Sequence, residues 1–197
     1  MGRIIFVFVT VGMLSGYYVL PNFYIEISGI ILITGLSVLL FFVGIEMGIE
    51  GSAVKMVKKA GYQIILYPLA VIFGTLTFSA MASIFLPITA REAMAVSSGF
   101  GWYTLAPVIL MDYSTEISAI SFMHNVMREF IGLLLIPFVS KHIGYIETAS
   151  LPGAGAMDVF VPIIQQATSK HIVIYSFVIG VVLSISVPIL VPLFVGL

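Results

Sequence analysis

The chain has 197 residues, of which 60% are hydrophobic and only 9% are charged, and its mean hydropathy is +1.19. This composition is far from that of soluble domains and is typical of a membrane protein. A formal net charge of −1 without any Lys/Arg run excludes a basic surface for nucleic acid, and a chain with no cysteine has neither a disulfide framework nor a cysteine metal site.

Long apolar runs divide the chain into about seven membrane segments, because a helix needs about 20 mostly apolar residues to cross a bilayer. We place them at 3–20, 25–47, 61–86, 92–112, 115–140, 152–168 and 171–195. No composition shift separates soluble domains. The sequence therefore predicts one all-α transmembrane transporter domain over 1–197, in which the fourth and sixth segments are broken or re-entrant near the midplane.

The positions of Lys and Arg predict the orientation, because positively charged loops stay cytoplasmic. The second loop, at 50–59, carries the densest lysine cluster, so the N-terminus should be cytoplasmic and the C-terminus outside the cell membrane. One re-entrant segment counted as a span would invert the second half. On this count the inside holds Arg3, Lys55, Lys58, Lys59 and Lys170, and the outside holds Arg91 and Lys141.

The stretch SSGFGWYTLAP, at 97–107, interrupts the fourth segment. Backbone polar groups cannot stay unpaired in lipid, so such a break must be buried in protein or line a cavity. Glycines also let neighbouring helices approach closely, and for the glycines alone both interpretations stand. The serines and the single tryptophan favour a substrate site. Its candidate contacts are Ser97, Ser98, Gly99, Gly101, Trp102 and Tyr103.

A second break is predicted in LPGAGAMDVFVP, at 151–162. Two interrupted segments in a transporter point to a substrate site, since half-helix N-termini present positive dipole ends to anions. Asp158 would lie in the first turn of such a half-helix and contact substrate or the coupled ion. The alternative is a loop aspartate that caps a helix at the membrane surface.

The stretch HNVMREFIG, at 124–132, lies in the fifth segment, and its polar residues His124, Asn125, Arg128 and Glu129 fall within about 140° of one helix face. Charged groups at the bilayer centre are costly and usually mark an ion or substrate path. We therefore expect Asn125 to contact substrate and Glu129, Arg128 and His124 to take part in ion coupling. The alternatives are a structural network around Arg128 and Glu129, and an interior histidine with satisfied hydrogen bonds.

Two small-xxx-small spacings, Gly12–Gly16 and Gly44–Gly48, permit close helix contact. They give weak support for dimerisation or for packing within the chain.

Four sequence blocks share their order and approximate spacing with one transporter family: SSGFGWYTLAPVIL, FMHNVMREFIGLLLIP, LPGAGAMDVFVPIIQQ and SISVPILVPLF. The stretch FFVGIEMG, at 41–48, resembles the second-helix motif of the same family. On these motifs, which span nearly the whole chain, the sequence resembles the lysine exporter (LysO) family of bacterial and archaeal membrane transporters.

The resemblance implies efflux of L-lysine, and of toxic analogues such as thialysine, across the cytoplasmic membrane. Typical single-chain members begin with additional N-terminal helices that this chain lacks, so we expect a homodimer or a small membrane partner subunit. The family motifs fall on 98–103, Asn125, Arg128, Glu129, Met157 and Asp158.

A mechanism follows if the two breaks and the polar face of the fifth segment meet in one pocket. Glu129 or Asp158 suits the cationic groups of lysine, and freed N–H groups at 99–101 suit its carboxylate. Trp102 or Tyr103 could add a cation–π contact, and the alternative for either ring is an aromatic anchor at the membrane interface. No nucleotide-binding loop is present, so export requires a coupled ion, for which H⁺ is favoured over Na⁺ and Glu129 is the expected proton carrier.

Other classes of protein remain as alternatives. A sodium–proton antiporter could use the same breaks and carboxylates. An intramembrane hydrolase would need a nucleophile–base pair, and although Ser121 lies three residues before His124, no hydrolase motif accompanies it. We predict no enzymatic activity, no cofactor and no metal site.

Overall fold

The computed structural model describes residues 2–18 and 61–197, together with the isolated residues 30, 34, 35, 37, 38, 41, 42 and 45. The predicted segment 25–47 therefore lies mostly outside the described residues, and the loop at 50–59 and the Gly44–Gly48 spacing lie wholly outside them. The described residues form helices and turns without any β-strand. The chain divides into two compact units, residues 1–58 and 59–197.

The first unit contains α1, the helix Gly2–Tyr18, which is 17 residues long and corresponds to the segment predicted at 3–20. A Cβ added at Gly12 or Gly16 would find no described atom within 4 Å, so the small-xxx-small spacing of α1 makes no close contact among the described residues.

Three helices of the second unit are long and apolar enough to cross a membrane, over Ile64–Phe85, Thr115–His142 and Ile172–Val195. They confirm the helices predicted at 61–86, 115–140 and 171–195. Numbered in chain order over the described residues, they are α2, Gln63–Ala82, with a 3₁₀ turn at Ser83–Phe85; α5, Thr115–His142; and α8, Ile172–Val195.

The other two predicted segments of this unit are each divided into short helices. The stretch 90–111, named hairpin A, consists of α3, Ala90–Ser97, a series of turns, and α4, Ala106–Met111. The stretch 145–167, named hairpin B, consists of α6, Tyr145–Ser150, a 3₁₀ turn at Gly153–Met157, and α7, Val161–Ala167.

Hairpin A begins and ends at the same end of the unit. Thr89 and Glu92 form a capping box that starts α3, and the hydroxyl of Tyr113, just after α4, donates a hydrogen bond to Glu92 Oε1 at 3.1 Å. Ser114 then caps the N-terminus of α5. The chain therefore enters the hairpin beside the point where α5 starts and returns there.

Hairpin B begins and ends near the opposite end of α5. One surface pocket is lined both by residues 140–147, where α5 ends and α6 starts, and by Ile172, where α8 starts. The rings of Tyr67 and Tyr175 lie 5.8 Å apart, which places the starts of α2 and α8 at one end as well. Hairpins A and B thus approach the middle of α5 from opposite ends.

Helix α8 lies at the centre of the second unit because it is apolar on all sides, a pattern typical of a helix surrounded by protein or lipid. It packs against α2, α3, α4, α6, α7 and the 3₁₀ turn of hairpin B, and Ile179, Leu183 and Val187 are completely buried. Large apolar side chains on α2, on α5 and on the remaining side of α8, including Phe73, Phe138 and Ile185, are exposed, which suits a surface that faces lipid.

Candidate functional site

The tips of the two hairpins are joined by their backbones. The N–H of Ala154 donates a hydrogen bond to the carbonyl of Phe100 at 2.8 Å. Gly101 and Gly153 have φ values of +94° and +73°, which favour glycine. A Cβ at Gly153 would overlap the Phe100 carbonyl oxygen, and one at Gly101 would lie 2.9 Å from the carbonyl oxygen of Pro152. Both glycines are therefore required for the tips to touch.

This junction lies beside the middle of α5. The helix has 28 residues and is about 42 Å long at 1.5 Å per residue. Hairpin A contacts it at Asn125 and hairpin B at Gly132, where an added Cβ would lie 3.5 Å from the carbonyl oxygen of Leu151. Arg128 and Glu129 fall between these two contacts, at the centre of the helix.

Asn125 is completely buried and ties the break in hairpin A to α5. Its Oδ1 accepts from the N–H of Gly101 at 2.8 Å, and its Nδ2 donates to the carbonyls of Val96 at 3.2 Å and Ser121 at 2.8 Å. Nδ2 also lies 3.2 Å from Ser121 Oγ. Both ends of the Asn125 amide are therefore engaged by the protein. The contacts that the structure shows hold the turn of hairpin A, and contact with substrate stays a prediction.

The serines and the first glycine of the break are also enclosed by protein. Ser97 is 3% and Ser98 0% exposed, and both hydroxyls donate back to the Met94 carbonyl, at 3.1 and 2.6 Å. A Cβ at Gly99 would lie 2.5 Å from Asn125 Nδ2. In hairpin A, the candidates that keep some exposure are the half-buried Trp102, which packs on the core, and Tyr103.

Glu129 lies between the two tips. Its Oε1 would be 3.0 Å from a Cβ added at Gly155 and 3.8 Å from one added at Gly101. The charge of Asp158 acts on Glu129, and the charges of both carboxylates act on the phenol of Tyr103. The structure thus groups two carboxylates and an aromatic ring around the junction.

Asp158 follows the 3₁₀ turn of hairpin B and precedes Val161, the first residue of α7, by three positions. Its Oδ1 accepts from the N–H of Val159, and its side chain is half-buried. The expected place in the first turn of a half-helix is therefore wrong, because the chain makes a further turn before α7 begins. Among the described residues, no cluster of three His, Cys, Asp or Glu could hold a metal ion.

The polar face of α5 is divided by its packing. His124 is exposed, whereas the adjacent Asn125 is buried, so the two do not share an environment. Arg128 is half-buried, and its guanidinium lies over the Phe100 ring at 5.6 Å from the centroid. Among the described residues no carboxylate forms an ion pair with Arg128.

Two supporting residues were missed by the sequence analysis. Phe100 has a φ of +46° and provides both the ring below Arg128 and the carbonyl that joins the tips. Its position between two glycines was the only signal. Ser176 of α8 is buried and donates to the carbonyl of Ala156 at 2.6 Å. A serine in an otherwise apolar helix could have indicated such a contact, although α8 also contains Ser184 and Ser186.

Comparison with known proteins gives one consistent result. The model of the family described as "Lysine exporter LysO" matches residues 6–195. The chain is 31% identical to a putative lysine exporter of Haemophilus influenzae over 81% of both chains. It is 30% identical to the lysine exporter LysO of Escherichia coli over 81% of this chain, which corresponds to 53% of that relative. No solved structure matches significantly.

Proposed function

The chain belongs to the lysine exporter LysO family, and from this premise we propose that it exports L-lysine, and analogues such as thialysine, across the cytoplasmic membrane in exchange for protons. The observation that supports this most strongly is the position of Glu129 between the two hairpin tips. A carboxylate at the centre of a membrane helix is costly unless it serves an ion or substrate path.

The charges around the junction suit a dibasic amino acid. Lysine carries two ammonium groups, and Glu129 and Asp158 lie close enough for the charge of Asp158 to act on Glu129. The Tyr103 ring lies within range of both charges and packs edge-on against Phe122 with centroids 6.3 Å apart, so it is the better placed of the two aromatic candidates for a cation–π contact.

The same carboxylates explain how export could be coupled. A carboxylate that binds either an ammonium group or a proton cannot hold both, so arrival of one releases the other. Glu129 is the proton carrier in this scheme, because it contacts both tips while Asp158 belongs to one of them. An inward proton gradient then drives the cationic substrate outward.

The orientation in the membrane follows if both hairpins return to the face they entered. Hairpin A then starts and ends outside, and hairpin B starts and ends in the cytoplasm, while the N-terminus stays inside and the C-terminus outside. Lys141, at the end of α5, moves from the outside to the cytoplasmic side and joins Lys170. This arrangement strengthens the positive-inside distribution and leaves Arg91 outside.

Flux measurements on purified protein in proteoliposomes test the function. We expect an imposed proton gradient to drive transport of labelled lysine, and Glu129→Gln to abolish it, because glutamine has a similar shape but cannot exchange a proton. Glu116→Gln is the matched control, since Glu116 is an exposed carboxylate in the first turn of the same helix. It should retain wild-type flux.

The same vesicles separate the alternatives. Proton movement that responds to sodium and ignores lysine would identify a sodium–proton antiporter. Lysine flux at the wild-type rate in a folded Glu129→Gln variant would remove Glu129 from the mechanism. A homodimer or a small partner subunit is proposed as well, and the mass of the purified complex measured by light scattering tests it.

A further inference from the structure

A lysine molecule also carries a carboxylate, which needs a partner in a pocket that already holds two acidic side chains. Backbone N–H groups of the hairpin A break were the expected partners. The structure shows them engaged: Gly99 donates to the Val96 carbonyl, Phe100 to the Ser97 carbonyl, and Gly101 to Asn125. Binding an anion there would require breaking these bonds.

Arg128 is the cationic side chain at the junction. Its guanidinium lies over the ring of Phe100 in hairpin A, and its Nε would be 3.3 Å from a Cβ added at Gly153 in hairpin B. The side chain therefore contacts the tips of both hairpins. A guanidinium presents a planar fork of donors that matches a carboxylate.

The immediate surroundings leave this cation without an anion. No carboxylate of the described residues pairs with it, although Glu129 is its neighbour in sequence. Adjacent residues on a helix point about 100° apart, so Glu129 is directed to the glycines of the tips while Arg128 is directed to Phe100. A half-buried, unpaired guanidinium is costly and gains most from an incoming anion.

We infer that Arg128 binds the α-carboxylate of the exported amino acid and thereby distinguishes amino acids from simple amines. This inference rests on the proposed function and assigns the two ends of the substrate: ammonium groups to Glu129 and Asp158, carboxylate to Arg128. The sequence pattern had indicated a role in ion coupling for Arg128, and the inference gives it a role in substrate recognition instead.

Competition between substrates tests the assignment. Unlabelled L-lysine, lysinamide and cadaverine compete with labelled lysine in proteoliposomes that contain the wild type, Arg128→Gln or Arg128→Lys. Lysinamide and cadaverine keep both amino groups but lack the carboxylate. We expect wild-type protein to prefer lysine by roughly tenfold to a hundredfold, as a charge-assisted bidentate contact provides.

In Arg128→Gln the preference for lysine over its two analogues should fall to a ratio near one. Arg128→Lys should keep an intermediate preference, because a lysine side chain at position 128 retains the charge but lacks the planar fork of donors of a guanidinium. Arg91→Gln is the control, since it removes an exposed arginine from the start of α3. The inference would be overturned if Arg128→Gln weakened competition by all three compounds equally, or if its preference for lysine were the same as that of the wild type. A wild type that transports no lysine would instead contradict the proposed function.

Discussion

The tips of hairpins A and B have similar sequence signatures, each with two glycines in an apolar run, but different surroundings. The tip of A is buried from Ser97 to Gly101, contains no charged residue, and is held by Asn125. The tip of B contains the half-buried Asp158 and is held by Ser176 and by the bond to Phe100. One tip is therefore built as a fixed support and the other contributes charge.

The contact between the tips gives the largest expected effect. Gly153→Ala places a Cβ against the Phe100 carbonyl and at a positive φ, so the two tips must separate. We expect loss of lysine transport, with a folded protein detected by size-exclusion chromatography in detergent. Helical content measured by circular dichroism should be nearly unchanged, because the long helices do not depend on this contact.

The control for this change is Gly74→Ala in α2, where an added Cβ meets nothing within 4 Å. It should transport lysine at the wild-type rate, since alanine is also the better helix former. Wild-type transport by Gly153→Ala would show that transport does not need contact between the tips. It would then contradict the view that the tip of hairpin A supports the charged tip of hairpin B.

The support of hairpin A gives the next largest effect. Asn125→Leu leaves the buried Gly101 N–H without its partner, at a cost of about 1–3 kcal/mol. It also removes one of two donors to the Val96 carbonyl, which keeps its bond from the Gly99 N–H. We expect a lower melting temperature together with a changed emission spectrum of Trp102, the single tryptophan of the chain, which adjoins Gly101.

His124→Leu changes the exposed neighbour on the same helix and should leave both measurements at their wild-type values. If Asn125→Leu matched that control, Asn125 would not support the turn. If Asn125→Leu instead lowered the affinity for substrate and left the melting temperature and the Trp102 emission spectrum unchanged, Asn125 would contact substrate directly.

The support of hairpin B gives the smallest effect. Ser176→Ala removes one hydrogen bond, to the Ala156 carbonyl, and should lower stability by about 0.5–1.5 kcal/mol. Ser186→Ala in the same helix removes only a bond to the Val182 carbonyl within α8, and thermal melting should show a smaller change. Equal melting temperatures for the two variants would show that Ser176 adds no support to the tip.

Much of the fold could be predicted from hydrophobic runs, because the length of an apolar run is visible in the sequence and can be compared with the length needed to cross a bilayer. The three long helices of the second unit were placed within a few residues of their ends. The sequence also predicts breaks at 97–107 and 151–162, and the structure has turns and short helices at these places. It did not give the course of the hairpins, since the return of Tyr113 to Glu92 joins residues from both ends of one segment.

The candidate site was predicted in outline by polar residues in apolar surroundings. Those residue types reveal which side chains are costly to bury, so Asn125, Arg128, Glu129 and Asp158 were identified without coordinates. The contacts that each of these side chains makes were not predictable from the sequence. An amide can bind solute or backbone, and only the distances from Asn125 to Gly101 and Val96 show that it binds backbone.

The sequence by itself determined a helical membrane protein, its family and the chemistry available at the centre of α5, because these depend on composition, segment length and residue type. The tertiary structure decided which groups meet there. Gly153 touches Phe100, and Arg128 and Glu129 point to different parts of the junction, through contacts between residues far apart in the chain. Such contacts depend on packing geometry, which local sequence patterns do not specify.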